Sequence, residues 1–199
     1  MSKIDFWFSI GSTYSFLTIM RMDDWCVENN TTVNWRPFNV RAIMSEQKNI
    51  PFAGNPAKSA YMWRDIERRA AKYRLHANLP APYPVSDLAL ANQVTLLGMR
   101  DGWGKSFAQN IYRIWFEDGI EAGSEAAMTE ALHRCQQDPR IVLARARSPD
   151  IVSALEVETD QALRLGIFGA PNLVVRGEVF WGDDRLEDAL SWARVGHVA

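Results

Sequence analysis

Along the first apolar stretch, Ile4, Phe6 and Phe8 alternate with Asp5 and Trp7, the period-two pattern of a strand with one face well buried. Gly11 and Ser12 break it. From Tyr14 onward Leu17, Met20 and Trp25 fall at helical spacing, which predicts one helix running to a stop at Asn29-Asn30. Thr32 to Phe38 reads as a second strand, with Pro37 near its edge. Strand, helix and strand in this order make a βαβ unit, whose two strands run parallel.

The texture then changes. Residues 39–56 read as irregular, punctuated by Pro51, Gly54, Asn55 and Pro56. From Ala57 to Ala146 no convincing strand is present. Ala60, Trp63, Ile66, Ala70 and Tyr73 share one face of an amphipathic helix. After the proline-rich connector Leu79 to Val85, Ser86 is the expected cap of a helix carrying Leu90, Val94 and Leu97. A turn from Gly98 to Gly104 leads to a helix with Phe107, Ile111, Ile114 and Trp115 on its apolar side. Ser124 caps another, with Met128, Ala131, Leu132 and Cys135 facing inward.

The last fifty or so residues return to mixed structure. Ser148-Pro149-Asp150 starts a helix in the favoured way, and Gly166 ends it after Ile151, Leu155, Ala162 and Leu163. Gly169 to Val175 and Glu178 to Trp181 are short strands around the turn Arg176-Gly177, a hairpin signal. Gly182-Asp183-Asp184 opens the final helix. Without the helical block, the order is β-α-β-α-β-β-α. The expected architecture is therefore α/β, a thioredoxin-like fold with a large all-helical insertion. Residues 1–38 and 148–199 form the thioredoxin-like domain in this reading, and 39–147 the helical insertion.

Composition narrows the function classes. Over 199 residues, 47% hydrophobic against 23% charged is the balance of a chain with a real core. A formal charge of −2 supplies no attraction to nucleic acid or an anionic membrane. Cys26 and Cys135 lie far apart, which reads as buried free thiols in a reducing compartment. His76, His133 and His197 form no ligand pair, so no metal site is expected. No apolar run reaches a membrane span, and the start has no basic region leading into a long apolar one. A cytoplasmic location follows as the expectation. Eight tryptophans supply core, and in part aromatic walls for a ligand.

Ser12 stands at the strand-to-helix corner, in Ser12-Thr13-Tyr14-Ser15, where many redox proteins carry a Cys-x-x-Cys pair. Its plain role is to cap the helix. The same geometry offers an anion a hydroxyl and unpaired backbone N–H groups. A serine cannot exchange disulfides, but it can donate a hydrogen bond to a thiolate brought by a ligand. No GxSxG elbow or neighbouring base marks it as a hydrolytic nucleophile. Gly169-Ala170-Pro171 is either an edge-strand start or a cis-proline turn. In a thioredoxin-like fold it lies beside the corner, with the Ala170 backbone free to pair with an extended peptide. Asp183 and Asp184 open a helix, as ordinary caps or as a pairing site for an amino-acid zwitterion. Asn55-Pro56 reads as a turn and helix start. Arg64, Arg68, Arg69 and Lys72, with Asp65 and Glu67, read as a solvated, self-paired helix face.

The segments "DFWFSIGSTYSF", "PAPYPV", "GIFGAPNLVV" and "FWGDDRLEDAL", with the helix beginning Asn55-Pro56-Ala57-Lys58, together resemble the 2-hydroxychromene-2-carboxylate isomerase family. That family is a branch of the kappa-class glutathione transferases and a relative of disulfide-forming oxidoreductases. The resemblance runs in order along nearly the whole chain. It implies a homodimer with reduced glutathione as catalytic cofactor and a small aromatic carboxylate as substrate. The implied reaction is ring opening and cis-trans isomerisation by thiolate addition and elimination.

Carried over by motif, Ser12 matches the serine that hydrogen-bonds the glutathione sulfur. Ala170, before Pro171, would pair with the cysteinyl backbone. Trp181, Gly182, Asp183 and Asp184 match the segment holding the γ-glutamyl end, and Asn55 a contact from the helical domain. Thr13 departs from the proline usual at its position, and Met44 stands near where naphthalene-pathway members carry a lysine, with Arg36 and Arg41 close in sequence. A transferase that releases conjugates and a non-catalytic module binding glutathione or an aromatic ligand are the alternatives. Dithiol exchange is not expected, because neither cysteine stands at the corner.

Overall fold

Bulky apolar side chains on both faces put β1 (Ile4–Phe8) inside the sheet, with Trp7 as deeply buried as Ile4, Phe6 and Phe8. The alternation predicted only one covered face; Phe38 and the Arg36 guanidinium cover Trp7 on the other. The computed structural model describes residues 3–52 and 54–198. Among them the sheet runs β2-β1-β3-β4, from β2 (Val33–Pro37), β3 (Asn172–Val175) and β4 (Glu178–Trp181). β1 and β2 are parallel with Ile4 opposite Val33, while β3 runs antiparallel to β1 and to β4. This is the thioredoxin-like order the sequence predicts. Arg176 and Gly177, both at positive φ (52° and 84°), form the tight turn between β3 and β4.

The predicted first helix is two. α1 (Thr13–Ile19) closes where Arg21 N–H donates to Thr18 O, and α2 (Met22–Glu28) starts afresh with Arg21 as its cap residue. The break lets Arg21 reach the backbone carbonyl of Asp183. Residues 39–56 are also less irregular than expected. They hold α3 (Val40–Glu46), whose cap is Asn39, with Oδ1 accepting from Ala42 N at 3.2 Å.

The helical stretch comprises α4 (Pro56–Lys72), α5 (Leu88–Asp101), α6 (Gly104–Phe116), α7 (Glu125–Arg134) and α8 (Pro139–Ala146). The apolar pattern did not single out α8. On α4 the buried residues are Met62, Ile66 and Ala70, while Ala60 is exposed, so the face is turned slightly from the expected one. Asp87, not Ser86, caps α5; Ser86 instead donates to Glu121 at 2.6 Å. α9 (Pro149–Arg164) packs on β2, and α10 (Leu186–Val195) on β1, β3 and β4. One continuous core joins Phe6 and Leu173 of the sheet to Ile111 and Trp115 of α6. Both cysteines are free and half-buried, so neither is the fully buried thiol expected. No helix of the described residues is long and apolar enough to cross a membrane.

Candidate functional site

The chain leaves β1 at Phe8 and reaches α1 through Ser9-Ile10-Gly11-Ser12. Gly11 sits at φ 112°, where a Cβ would collide with Leu88 of α5. Asn92, fully buried on α5, holds the loop from behind. Its Oδ1 accepts from Ile10 N at 2.8 Å, and its Nδ2 lies 3.1 Å from both Ile10 O and Ser9 Oγ. The Tyr112 hydroxyl lies 2.9 Å from the carbonyl oxygens of both Ser9 and Ser12. Burial pushes that hydroxyl up in pKa, so it stays a proton donor. The corner is thus clamped by two helices distant in sequence.

Ser12 caps α1 as predicted, its Oγ accepting from Ser15 N at 3.3 Å. The same Oγ donates to Ala170 O at 2.8 Å. Ala170-Pro171 is a cis peptide, so the turn reading was the right one of the two. The structure therefore brings together Ser12 and Ala170, 158 positions apart. Among the described residues the N–H groups of Thr13, Tyr14 and Ala170 have no hydrogen-bond partner. A hydroxyl and several unused donors around one corner suit an anion or an extended peptide backbone. Thr13, in the place of the usual proline, is buried and donates to Met62 Sδ at 3.2 Å.

The Trp181-to-Asp184 segment lies alongside. Gly182 N–H donates to Pro171 O at 3.0 Å, tying it to the cis-proline turn. Trp181 is 53% exposed, packs edge-on against Phe168 at 4.8 Å, and lies so close over Gly169 that a Cβ there would meet its indole nitrogen. The two aspartates part company. Asp184 is exposed beside Arg185 at 3.2 Å, open to a ligand's ammonium. Asp183 is only 2% exposed and accepts from Arg69 Nε at 2.8 Å. Burial pushes the Asp183 carboxyl above its ordinary value, and Arg69 pulls it back. Arg69 thus leaves the self-paired face, where Arg68 pairs with Asp65 at 3.3 Å. Asn55 caps α4, its Oδ1 accepting from Lys58 N at 3.0 Å.

Arg69→Met strands the Asp183 carboxylate in this setting and should cost about 2–3 kcal/mol at neutral pH. Below the unfolded carboxyl range Asp183 is protonated in both states, so the deficit vanishes. It grows as pH rises through the elevated folded pKa. Urea unfolding at pH 4 and pH 7 measures it, and a deficit independent of pH would contradict the assignment.

Aromatic side chains extend from the corner. Phe16 of α1 stacks on Phe116 at 4.1 Å, Phe116 meets Trp63 at 6.4 Å, and Trp63 meets Tyr83 at 6.1 Å. Arg36 is taken up elsewhere, by Glu158 at 2.6 Å and Gln161 at 2.7 Å. Met44 is half-buried against the core. The reading from sequence missed Asn92 and Tyr112. Asn92 had a visible signal, a polar residue among Leu88, Leu90, Ala91 and Val94; Tyr112 had none.

A model of the DSBA-like thioredoxin domain family matches residues 3–191. The chain is 27% identical over 187 residues to a 2-hydroxychromene-2-carboxylate isomerase of Sphingobium xenophagum, covering 92% of this chain and 94% of that one. It is 25% identical over 201 residues to glutathione S-transferase kappa 1 of Homo sapiens, covering 92% and 87% respectively. Its fold resembles a solved structure of a 2-hydroxychromene-2-carboxylate isomerase, with a TM-score of 0.78 at 20% identity over 92% of this chain and 90% of that one. These curated relatives are enzymes, an isomerase and a transferase.

Proposed function

We propose that this chain, which belongs to the DSBA-like thioredoxin domain family, is a glutathione-dependent isomerase of 2-hydroxychromene-2-carboxylate or a related aromatic hydroxy-carboxylate. The observation that carries the reading is the Ser12 hydroxyl 2.8 Å from Ala170 O, at a corner without thiols. The residues present fit reduced glutathione: Ala170 N–H is unused, and so are the first-turn N–H groups beside Ser12.

When bound, glutathione would supply the thiolate whose addition and elimination free a substrate double bond to rotate. A free thiol has a pKa of about 8.5 and is mostly protonated at pH 7. The Ser12 hydroxyl, turning from Ala170 O toward the sulfur, would favour the ionised form, and the N–H groups of Thr13 and Tyr14 add to that preference. Ala170 N–H would align the cysteinyl backbone as an added strand does. Asp184 and the segment at Trp181-Gly182 would hold the γ-glutamyl end, with Asp183 fixing that segment through Arg69. Asn55, at the start of α4, would add a contact from the helical side. The aromatic side chains would exclude water from a flat substrate.

The relatives named isomerase and transferase support both a glutathione isomerase and a conjugating transferase. Following the ultraviolet spectrum of 2-hydroxychromene-2-carboxylate with purified protein separates them. Rapid approach to equilibrium only with glutathione, and without its consumption, is the expected result. Accumulation of a conjugate would make the protein a transferase. Glutathione binding with no turnover across a panel of aryl substrates would make it a ligand-binding module.

A further inference from the structure

One residue from each strand forms a row across the sheet. Arg36 on β2, Trp7 on β1, Asn172 on β3 and Trp181 on β4 stand opposite one another in register. Antiparallel partners project to the same face, with Cβ atoms about 4.5–5.5 Å apart. Both ends of the row are fixed. Arg36 lies over the Trp7 ring at 4.5 Å and pairs with Glu158 of α9 at 2.6 Å, while Trp181 closes over Gly169. Between the two indoles sits the amide of Asn172, fully buried. Its Nδ2 donates to Gly169 O at 2.6 Å. A carbonyl accepts and never donates, so this bond fixes which way the amide faces and turns Oδ1 away from Gly169.

Two polar atoms of this row have no partner among the described residues. Asn172 Oδ1 lacks a donor and Trp7 Nε1 lacks an acceptor, although Asn172 is fully buried and Trp7 only 1% exposed. Native interiors rarely leave such groups unpaired, and each here offers what the other lacks. The two residues are neighbours in register yet form no direct bond. A single water, accepting from the indole and donating to the amide oxygen, satisfies both. The held carbonyl bears on the site. Gly169 C=O and Ala170 N–H belong to one planar trans peptide, so they point in opposite directions. Drawing the carbonyl inward turns the N–H outward, and that N–H is unused. It belongs to the residue whose own carbonyl accepts from Ser12 at 2.8 Å.

We propose that Asn172 positions Ala170 N–H for the backbone of bound glutathione, by holding Gly169 O inward while a buried water braces it against Trp7. The inference rests on the glutathione reading and adds a positioning residue behind the site. Asn172 touches no ligand; it acts through the peptide plane it fixes. The contact it serves is made equally before and during the reaction. Its loss should therefore appear in glutathione affinity and not in the acidity of the thiol.

The test is calorimetric titration of the full chain with reduced glutathione, joined to thiolate absorbance of the bound ligand and NMR of the indole N–H groups. Asn172→Leu keeps the size but not the donor, and should weaken glutathione about 10-fold. The bound thiol should titrate as in the wild type, because Ser12 is untouched. Asn172→Val, a residue at home in a strand, should give the same loss and serves if leucine prevents folding. Trp7→Phe removes only the indole N–H from the brace and should weaken glutathione about 2–3-fold. Combined with Asn172→Leu it should cost no more than Asn172→Leu alone. In the wild type the Trp7 indole proton should show a cross-peak to a bound water, which Asn172→Leu abolishes. Additive losses in the double variant would overturn the proposal. So would an indole proton without a water, or a thiol in Asn172→Leu shifted as far as in Ser12→Ala. Glutathione binding that the Asn172 variants leave intact sinks this inference alone, whereas no binding by the wild type sinks the reading beneath it.

Discussion

Ser12→Ala should lower glutathione-dependent turnover about 100-fold or more, the usual loss when one preorganised donor to a developing anion is removed. The variant loses the donor 2.8 Å from Ala170 O and the acceptor for Ser15 N. Losing the cap should cost about 1 kcal/mol, too little to unfold a chain with this core. The two effects therefore separate. A thermal melt should move by a few degrees at most, while turnover collapses. Titrating bound glutathione by thiolate absorbance should place its thiol nearer the free value of about 8.5 in the variant than in the wild type. Unchanged turnover would refute the role of Ser12, and so would a thiol that titrates identically in both proteins.

The largest expected loss of stability belongs to Asn92→Ala. The side chain is fully buried and serves Ile10 N, Ile10 O and Leu88 O at 2.8, 3.1 and 2.8 Å. Truncation strands Ile10 N–H in the interior and opens a cavity beneath Gly11. A stranded buried donor costs about 1–3 kcal/mol and the lost packing adds to it, so about 3–4 kcal/mol is expected from urea unfolding. Because Asn92 holds the loop carrying Ser12, turnover of the folded fraction should fall as well. A stability change below about 1 kcal/mol would show that the corner is held by Tyr112 and Gly11 alone. Asn92→Leu refines the result, since it refills the space but restores no hydrogen bond. If it is as damaging as alanine, the polar contacts dominate over packing.

Much of the fold was legible because its signals are local. The alternation of Ile4, Phe6 and Phe8, the hairpin at Arg176-Gly177 and the Ser148-Pro149 start all depend on neighbours a few positions away. The errors arose where a distant partner decided the outcome. Tyr14 to Asn29 looks like one helix, yet it breaks so that Arg21 can reach Asp183 in a segment 162 positions away. Trp7 looks like the outer face of β1, yet Phe38 and Arg36 cover it. Asp183 and Asp184 look equivalent as paired caps, but Arg69 from α4 takes one into the interior while the other pairs with Arg185 at the surface.

By itself the sequence determined the four strands, the helical stretch between the second and third of them, and the identity of the corner residues, with Ser12 in the place of a thiol and Ala170-Pro171 at a strand start. Those follow from periodicity, turn chemistry and side-chain type, which short segments carry unaided. Only the tertiary structure decided that Ser12 and Ala170 touch, that Tyr112 and Asn92 hold the corner, and that Arg69 takes Asp183 while Arg36 goes to Glu158. Pairing and desolvation are properties of the assembled interior, where a group's partner is set by packing and not by its neighbours in the chain.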